Sequence, residues 1–464
     1  MAVGPSIWTL VQCDEHLRAL NGTCLTLSAI PSPAESTSSR KLNVQTTHLS
    51  SLIRFVLAWM LGSSMLGGSV LTASGPAWPG FLGGDRDGWV HHFQPPAEWP
   101  ESLNKKWQVE VGTGYGSPLV ADDRVYQHSR QGDDEVLRCL ELATGKEIWT
   151  QTYAVPFQAS SGGERHGNGP KSSPILADGR IFTMSSLGEI SAWDAKSGDR
   201  LWHRDYRSRF PKNHPNWGAS TSPIVDGDRV VAHVGNDDEG ALVALHVKTG
   251  EEIWSQGSDG AAYSSPLVVE IQGVRQIIDW NHRALVGVES QSGKALWEFP
   301  LPKYTSNQNM PTPTFHNGQI LLGGENRGIY GLEPVIENGE WSVKERWFQK
   351  DVALDMSTAV INGDLLFGFS HYMKGQLFCL DTATGEVRWR GPGRSGDNVA
   401  FLSIPNHIVA LFDNGKLQVI KATDGDLEEV ASYQVAESST WAPPVLLKRT
   451  LLIKDKTSLT LWSL

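Results

Sequence analysis

LFCLDTATGEVRW, residues 377–389, is the stretch on which the fold turns. A short apolar run meets a turn at Gly385, and Trp389 follows four residues later. The same grammar returns as LRCLELATGKEIW (137–149), ISAWDAKSGDRLW (190–202), LVALHVKTGEEIW (242–254) and LVGVESQSGKALW (285–297). A weaker copy, IYGLEPVIENGEWSVKERW, reaches Trp347 through a longer turn, and LQVIKATDGDLEEV keeps the turn at Gly425 but has lost the Trp. Counted from Trp107, the tryptophans are spaced by 42, 53, 52, 43, 50 and 42 residues. A period of 40 to 50 residues points to a propeller or another array, in which each unit buries its apolar face against the next.

Each unit has the same interior. GSPLV, DRVYQHS, EVLRCLEL and KEIWTQTY are short strand-like runs separated by Asp/Gly turns, the pattern of a four-stranded antiparallel meander. A Ser-Pro or Thr-Pro pair precedes the first run (Ser117-Pro118, Ser173-Pro174, Ser222-Pro223, Ser265-Pro266, Thr312-Pro313), where a missing N–H is tolerated at strand entry. First strands begin near 117, 173, 222, 265, 312, 357, 399 and 443, which makes eight units. The last stops after three strands, while KKWQVEV around Trp107 stands ahead of the first unit without partners. The expected fold is therefore all-β: an eight-bladed propeller of four-stranded antiparallel blades, closed by the N-terminal strand completing the last blade. Such closure removes the open edge that invites aggregation.

The chain has 464 residues, 40 Lys+Arg against 51 Asp+Glu and a net charge of -11, with no basic run, so nucleic acid is not expected as a partner. Its four cysteines (Cys13, Cys24, Cys139, Cys379) form no CxxC or CxxCH, which argues against a zinc ribbon, a c-type haem or a disulfide scaffold. Cys139 and Cys379 occupy the same inward position of the repeat and are expected to be small buried apolar residues. Residues 55–71, FVLAWMLGSSMLGGSVL, follow Arg54 and precede small residues. They read as an export signal cleaved near Ala73 to Ala77, in preference to a retained anchor. The division expected is 1–52, an extension that is disordered or upstream of a true start near Val44; 53–75, the signal peptide; and 76–464, a single propeller, a monomer in the periplasm or cell envelope.

The [A/C]-x-[D/E]-x-x-[T/S]-G-x-x-x-W segments resemble the tryptophan-docking repeats of the pyrroloquinoline-quinone-like eight-bladed propellers, a family that includes quinoprotein alcohol dehydrogenases and the outer-membrane protein assembly lipoprotein. WPGFLGGDRDG (78–88) is similar to the opening of exported bacterial members. The resemblance implies that Trp107, Trp149, Trp202, Trp254, Trp297, Trp347 and Trp389 dock between blades, each indole N–H seeking a carbonyl. It does not imply the dehydrogenases' chemistry: their vicinal Cys pair is missing, so no pyrroloquinoline quinone is expected as cofactor. No Cys stands directly after the apolar stretch, where TASGPA follows, so the lipoprotein's anchor is not expected either.

Binding residues are expected in the loops that lead into the first strands, which open on one face around the channel. Those loops bring Tyr115, His166, Lys171, Trp217, Tyr263, Asn309, Asn398 and Trp441 to a single funnel, a mixture of aromatic planes and polar groups suited to a small ligand or peptide. They also carry Arg165, Asp355, Arg394 and Asp397. Asp237, Asp238 and Glu239 read as a solvated turn and His91-His92 as a surface pair, neither as a metal site. With no nucleophile elbow, Walker loop or HExxH motif, the expected function is non-catalytic binding of a protein, peptide or saccharide on the funnel face. An outer-membrane assembly scaffold and, less favoured, a quinone-dependent dehydrogenase are the alternatives.

Overall fold

The computed structural model describes residues 78–303 and 309–464, within a compact unit spanning Leu71–Leu464. The expected export signal at 53–75 and the expected extension at 1–52 lie outside the described residues. The repeat unit folds as its turns dictate. Blade 1 is made of strands Leu119–Ala121, Arg124–Gln131, Asp134–Glu141 and Glu147–Ala154, each paired antiparallel with the next. Its second and third strands are packed on both faces and read as nearly unbroken buried runs, whereas the outermost strand is largely exposed. The tight turns between first and second strands use residues that tolerate positive φ, as at Asn317 (48°) and Gly318 (81°), which suits the twist of the flanking strands.

Eight such sheets are present, at residues 119–154, 175–204, 224–256, 267–300, 314–349, 360–390, 399–434, and the eighth from 445–463 plus the early strand Asn104–Glu110. That strand pairs antiparallel with Ser458–Ser463, placing Trp107 opposite Leu461, so the ring closes as an all-β eight-bladed propeller. Each interface between neighbouring blades holds an apolar cluster; blades 2 and 3, for example, join Phe182, Met184 and Ala192 to Val230, Ala232 and Val243. A single cluster serves both flanks of blade 8, uniting Trp107 and Val120 with Leu411 and Leu452. Cys139 and Cys379 are buried free thiols in blades 1 and 6.

The docking geometry explains the Gly–Trp spacing. Five of the seven docking tryptophans lie against the following blade's turn glycine: Trp107 over Gly145, Trp149 over Gly198, Trp202 over Gly250, Trp254 over Gly293 and Trp347 over Gly385. Five indole N–H groups donate to the carbonyl just before such a turn: Trp107 to Leu142, Trp202 to Val247, Trp254 to Ser290, Trp347 to Thr382 and Trp389 to Thr423, at 2.8–3.0 Å. Two depart from this pattern. The equivalent carbonyl of Ala195 accepts from Arg124, and the Trp149 indole N–H has no acceptor among the described residues. Trp297 meets the long hairpin of blade 5, which lacks the short turn; its ring covers Gly287 of its own blade and its N–H donates to Gln276 at 2.8 Å.

The Ser-Pro and Thr-Pro pairs do more than open strands. Around the channel the N–H of Ser117 donates to Ser173 Oγ, that of Ser173 to Ser222, that of Ser222 to Ser265, that of Ser265 to Thr312 and that of Thr312 to Thr358, at 2.9–3.2 Å. Blade is thus tied to blade at the inner rim. The segment Trp78–Val90 crosses beneath. Trp78 exchanges backbone hydrogen bonds with Val120, Pro79 accepts from Leu176, and Gly88 and Val90 pair with Ser403. Arg86 is 4% exposed and donates to the carbonyls of Ser222, Pro223 and Pro266.

Candidate functional site

The loops ahead of the first strands converge as their positions in the repeat require. They line an outer funnel of about 570 Å³ and, beneath it, an inner chamber of about 170 Å³. Tyr115, His166 and Trp441 line both; Lys171, Trp217, Tyr263 and Asn398 line the chamber. Phe81 and Leu82 of the crossing segment contribute to the chamber wall, while Asp85, Arg86 and Asp87 line a separate cavity of about 360 Å³ with the first strands of blades 4 and 5.

The aromatic residues form one arc. Tyr115 stacks on Trp441 (5.6 Å between ring centres, 24°), His166 meets Trp441 edge-on at 4.8 Å and lies 6.1 Å from Trp217, and Trp217 lies 5.6 Å from Tyr263. Such offset and edge contacts match the positive edge of one ring to the negative face of another. Trp217 is held at three points: its backbone N–H donates to the Tyr263 hydroxyl, its indole N–H to Ser161 O, and its ring covers Gly163, where a Cβ would stand 2.8 Å from Cδ1.

His166 is kept neutral. Burial, reinforced by Arg165 and Lys171, lowers its pKa to about 4, and its Nε2 accepts a hydrogen bond from Arg165 Nε at 3.0 Å. Burial lowers the Lys171 pKa to about 8 and raises that of Tyr115 to about 12. Burial, with Glu325 adding to it, pushes Asp355 up to about 7 against the pull of Arg165. Beneath Lys171, Glu135 is fully buried and held by His128 (3.0 Å), the Tyr153 hydroxyl (3.1 Å) and the Ser186 N–H (2.8 Å).

Asn309 stands apart from the other sequence-derived positions. It is fully buried, its Nδ2 donates to Asn281 O, and its own carbonyl accepts from Tyr263 and Ser264, so it pins the loop that carries Tyr263. Asn398, 5% exposed, reaches the chamber wall while accepting from Ser357 Oγ. Asp397, expected on the funnel loops, lines the outer funnel together with Asp413, Lys374 and Lys456, which the sequence does not point to as binding residues. Charged loop residues of this kind carry no sequence signal that separates a site from a solvated turn. Asp237 accepts the Asn216 N–H, and among the described residues no group of three or more His, Cys, Asp or Glu is placed to hold a metal ion.

The family model described as outer membrane protein assembly factor BamB matches residues 132–391, from blade 1 through blade 6. BamB of Shewanella oneidensis is 25% identical over 296 residues, covering 61% of this chain and 71% of that protein. Quinoprotein ethanol dehydrogenase of Pseudomonas putida is 23% identical over 374 residues, 67% of this chain and 55% of the enzyme. Of solved structures, BamB from Moraxella catarrhalis superposes with a TM-score of 0.55 at 13% identity, over 78% of this chain and 98% of that one. A europium-containing methanol dehydrogenase gives 0.64 at 12% identity, over 84% and 98%. At these identities the structural likeness establishes the fold alone.

Proposed function

Because this chain belongs to the family of outer membrane protein assembly factor BamB, we propose that it is an exported, non-catalytic scaffold of the cell envelope that binds a polypeptide in its funnel. The observation that carries the reading is the continuous arc Tyr115–Trp441–His166–Trp217–Tyr263 over a recessed chamber. Aromatic planes held rigid by their neighbours offer large contact area at small entropic cost, the property of interface anchors. The family's relatives named for outer-membrane protein assembly support a protein as ligand over a saccharide. No helix among the described residues is long and apolar enough to cross a membrane.

A quinone-dependent dehydrogenase shares the fold, but the donor set here does not suit a cation-bound quinone. Among the described residues the chamber is lined by hydroxyls, aromatic rings and one lysine, without a carboxylate to ligate a cation; Glu164, Asp355, Asp397 and Asp413 line the outer funnel instead. The scaffold reading is tested by placing a photo-crosslinking amino acid at position 441 and, as a control, at position 91 on the other side of the ring, in the exporting organism. Adducts with envelope proteins at 441 and none at 91 are expected. Equal yields at the two positions would remove the funnel from the function.

A further inference from the structure

The inner chamber is built for one sign of charge. Among the described residues, Lys171 is the only Lys or Arg that lines it and no Asp or Glu does, while His166 is neutral. The Lys171 ammonium has three N–H donors, yet among the described residues it has one acceptor, Gly167 O at 3.2 Å. Its nearest carboxylate, Glu135, is already taken by His128, Tyr153 and Ser186. Two ammonium donors therefore remain without an acceptor among the described residues; the ammonium also lies 6.0 Å from the centre of the Phe157 ring, a contact that supplies no negative oxygen.

The hydroxyl chain at the inner rim adds to this. Ser173, Ser222, Ser265, Thr312 and Thr358 each use their oxygen to accept a neighbouring blade's N–H, and all five line the chamber. A hydroxyl whose oxygen is accepting still owns one O–H donor, and none of these five donates to an acceptor among the described residues. The chamber thus presents an ammonium and a row of unspent O–H donors under an aromatic roof, with no fixed negative charge among the described residues that line it. Buried donors without acceptors are costly, so such a pocket favours a group that supplies negative oxygen.

We infer that the inner chamber is a receptor for a single carboxylate presented by the polypeptide partner, with Lys171 as the anchoring cation and the rim hydroxyls as secondary donors. The inference rests on the funnel reading and narrows it: the partner inserts either its C-terminal carboxylate or the side chain of Asp or Glu, while the arc packs against the flanking residues. A chamber of about 170 Å³ admits about one side chain, which excludes a folded domain from reaching it.

Calorimetric titration of the purified chain with three probes tests this: N-acetylphenylalanine, its amide, and the α-amide of N-acetylglutamate, which carries only the side-chain carboxylate. At least one carboxylate is expected to bind tenfold or more tighter than the neutral amide, and which of the two does so identifies the source. Lys171→Met should lose at least tenfold, Lys171→Arg should recover part of it, and Lys248→Met on an exposed turn of blade 3 should change nothing. Binding of neither carboxylate more tightly than the neutral amide by the unaltered chain overturns the inference, as does full affinity in Lys171→Met. Crosslinking at position 441 separates the two readings: adducts without carboxylate selectivity leave the scaffold standing and sink the anion receptor, whereas selectivity without adducts does the reverse.

Discussion

Glycine 293 gives the sharpest test of how the ring is held. It lies in the turn of blade 4 with φ of 74°, and a Cβ added there would stand 2.6 Å from Cδ2 of Trp254, the indole docked from blade 3. Two penalties follow for Gly293→Ala. The left-handed backbone costs a non-glycine residue about 1–2 kcal/mol. Forcing the buried indole aside adds about 1–3 kcal/mol of overpacking. Gly339→Ala is the internal control, since Gly339 also has positive φ (83°) but sits in the long hairpin of blade 5 with nothing within 4 Å of the added atom. It should lose only the backbone part, about 1–2 kcal/mol. Trp254→Ala by itself should cost about 3–5 kcal/mol, because a buried ring is lost. Its hydrogen bond to Ser290 O goes with it. In that background Gly293→Ala should fall to the backbone cost alone, leaving a coupling of about 1–3 kcal/mol between the two sites, well above what distant, independent substitutions show. Urea unfolding followed by circular dichroism on the four proteins of the cycle, with Gly339→Ala alongside, measures it. A coupling below about 0.5 kcal/mol, the limit of ordinary additivity, or a Gly339→Ala as costly as Gly293→Ala, would refute the docking argument.

Three more expectations rest on other parts of the molecule. Trp441→Ala should leave stability within about 1 kcal/mol, as for sites away from the packed core, while a crosslinked envelope partner loses about 2 kcal/mol or more of binding; melting curves and binding isotherms on one preparation read both. Arg86→Met should destabilise by about 1–3 kcal/mol because buried carbonyls lose their donors, and Arg86→Lys should not restore it, since a single ammonium lacks the fork that spans Ser222, Pro223 and Pro266. Asp355 has a folded pKa of about 7 against 3.8 for the free group, so the folded state holds the extra proton. Its contribution is therefore full below about pH 4 and is lost as pH rises toward 7; thermal melts of Asp355→Asn across that window should lack this part of the decline.

Much of this architecture is legible in one dimension because it is repetitive. The turn Gly followed four residues later by Trp marks a hairpin and its outer strand, and the count of first strands, with one strand stranded at the start, already implies eight blades and their closure. Aromatic residues in the loops before those strands are legible as a funnel for the same reason, since every such loop must emerge on the same face. Contacts between units are what a linear reading cannot supply. Trp297 has the same repeat pattern as Trp254, yet its N–H donates to Gln276 of its own blade, because the next blade, whose hairpin is longer, offers no short-turn carbonyl. Asn309 looks like a funnel residue by position and is instead consumed by the backbone of a neighbouring loop. The crossing of Trp78–Val90 under the ring, the rim of linked hydroxyls and the uncompensated charge of Lys171 all arise where segments 40 to 300 residues apart meet. Periodicity is a property of the chain and survives in its sequence; which donor finds which acceptor, and which charge is left without one, is decided only when the eight units close on a common axis.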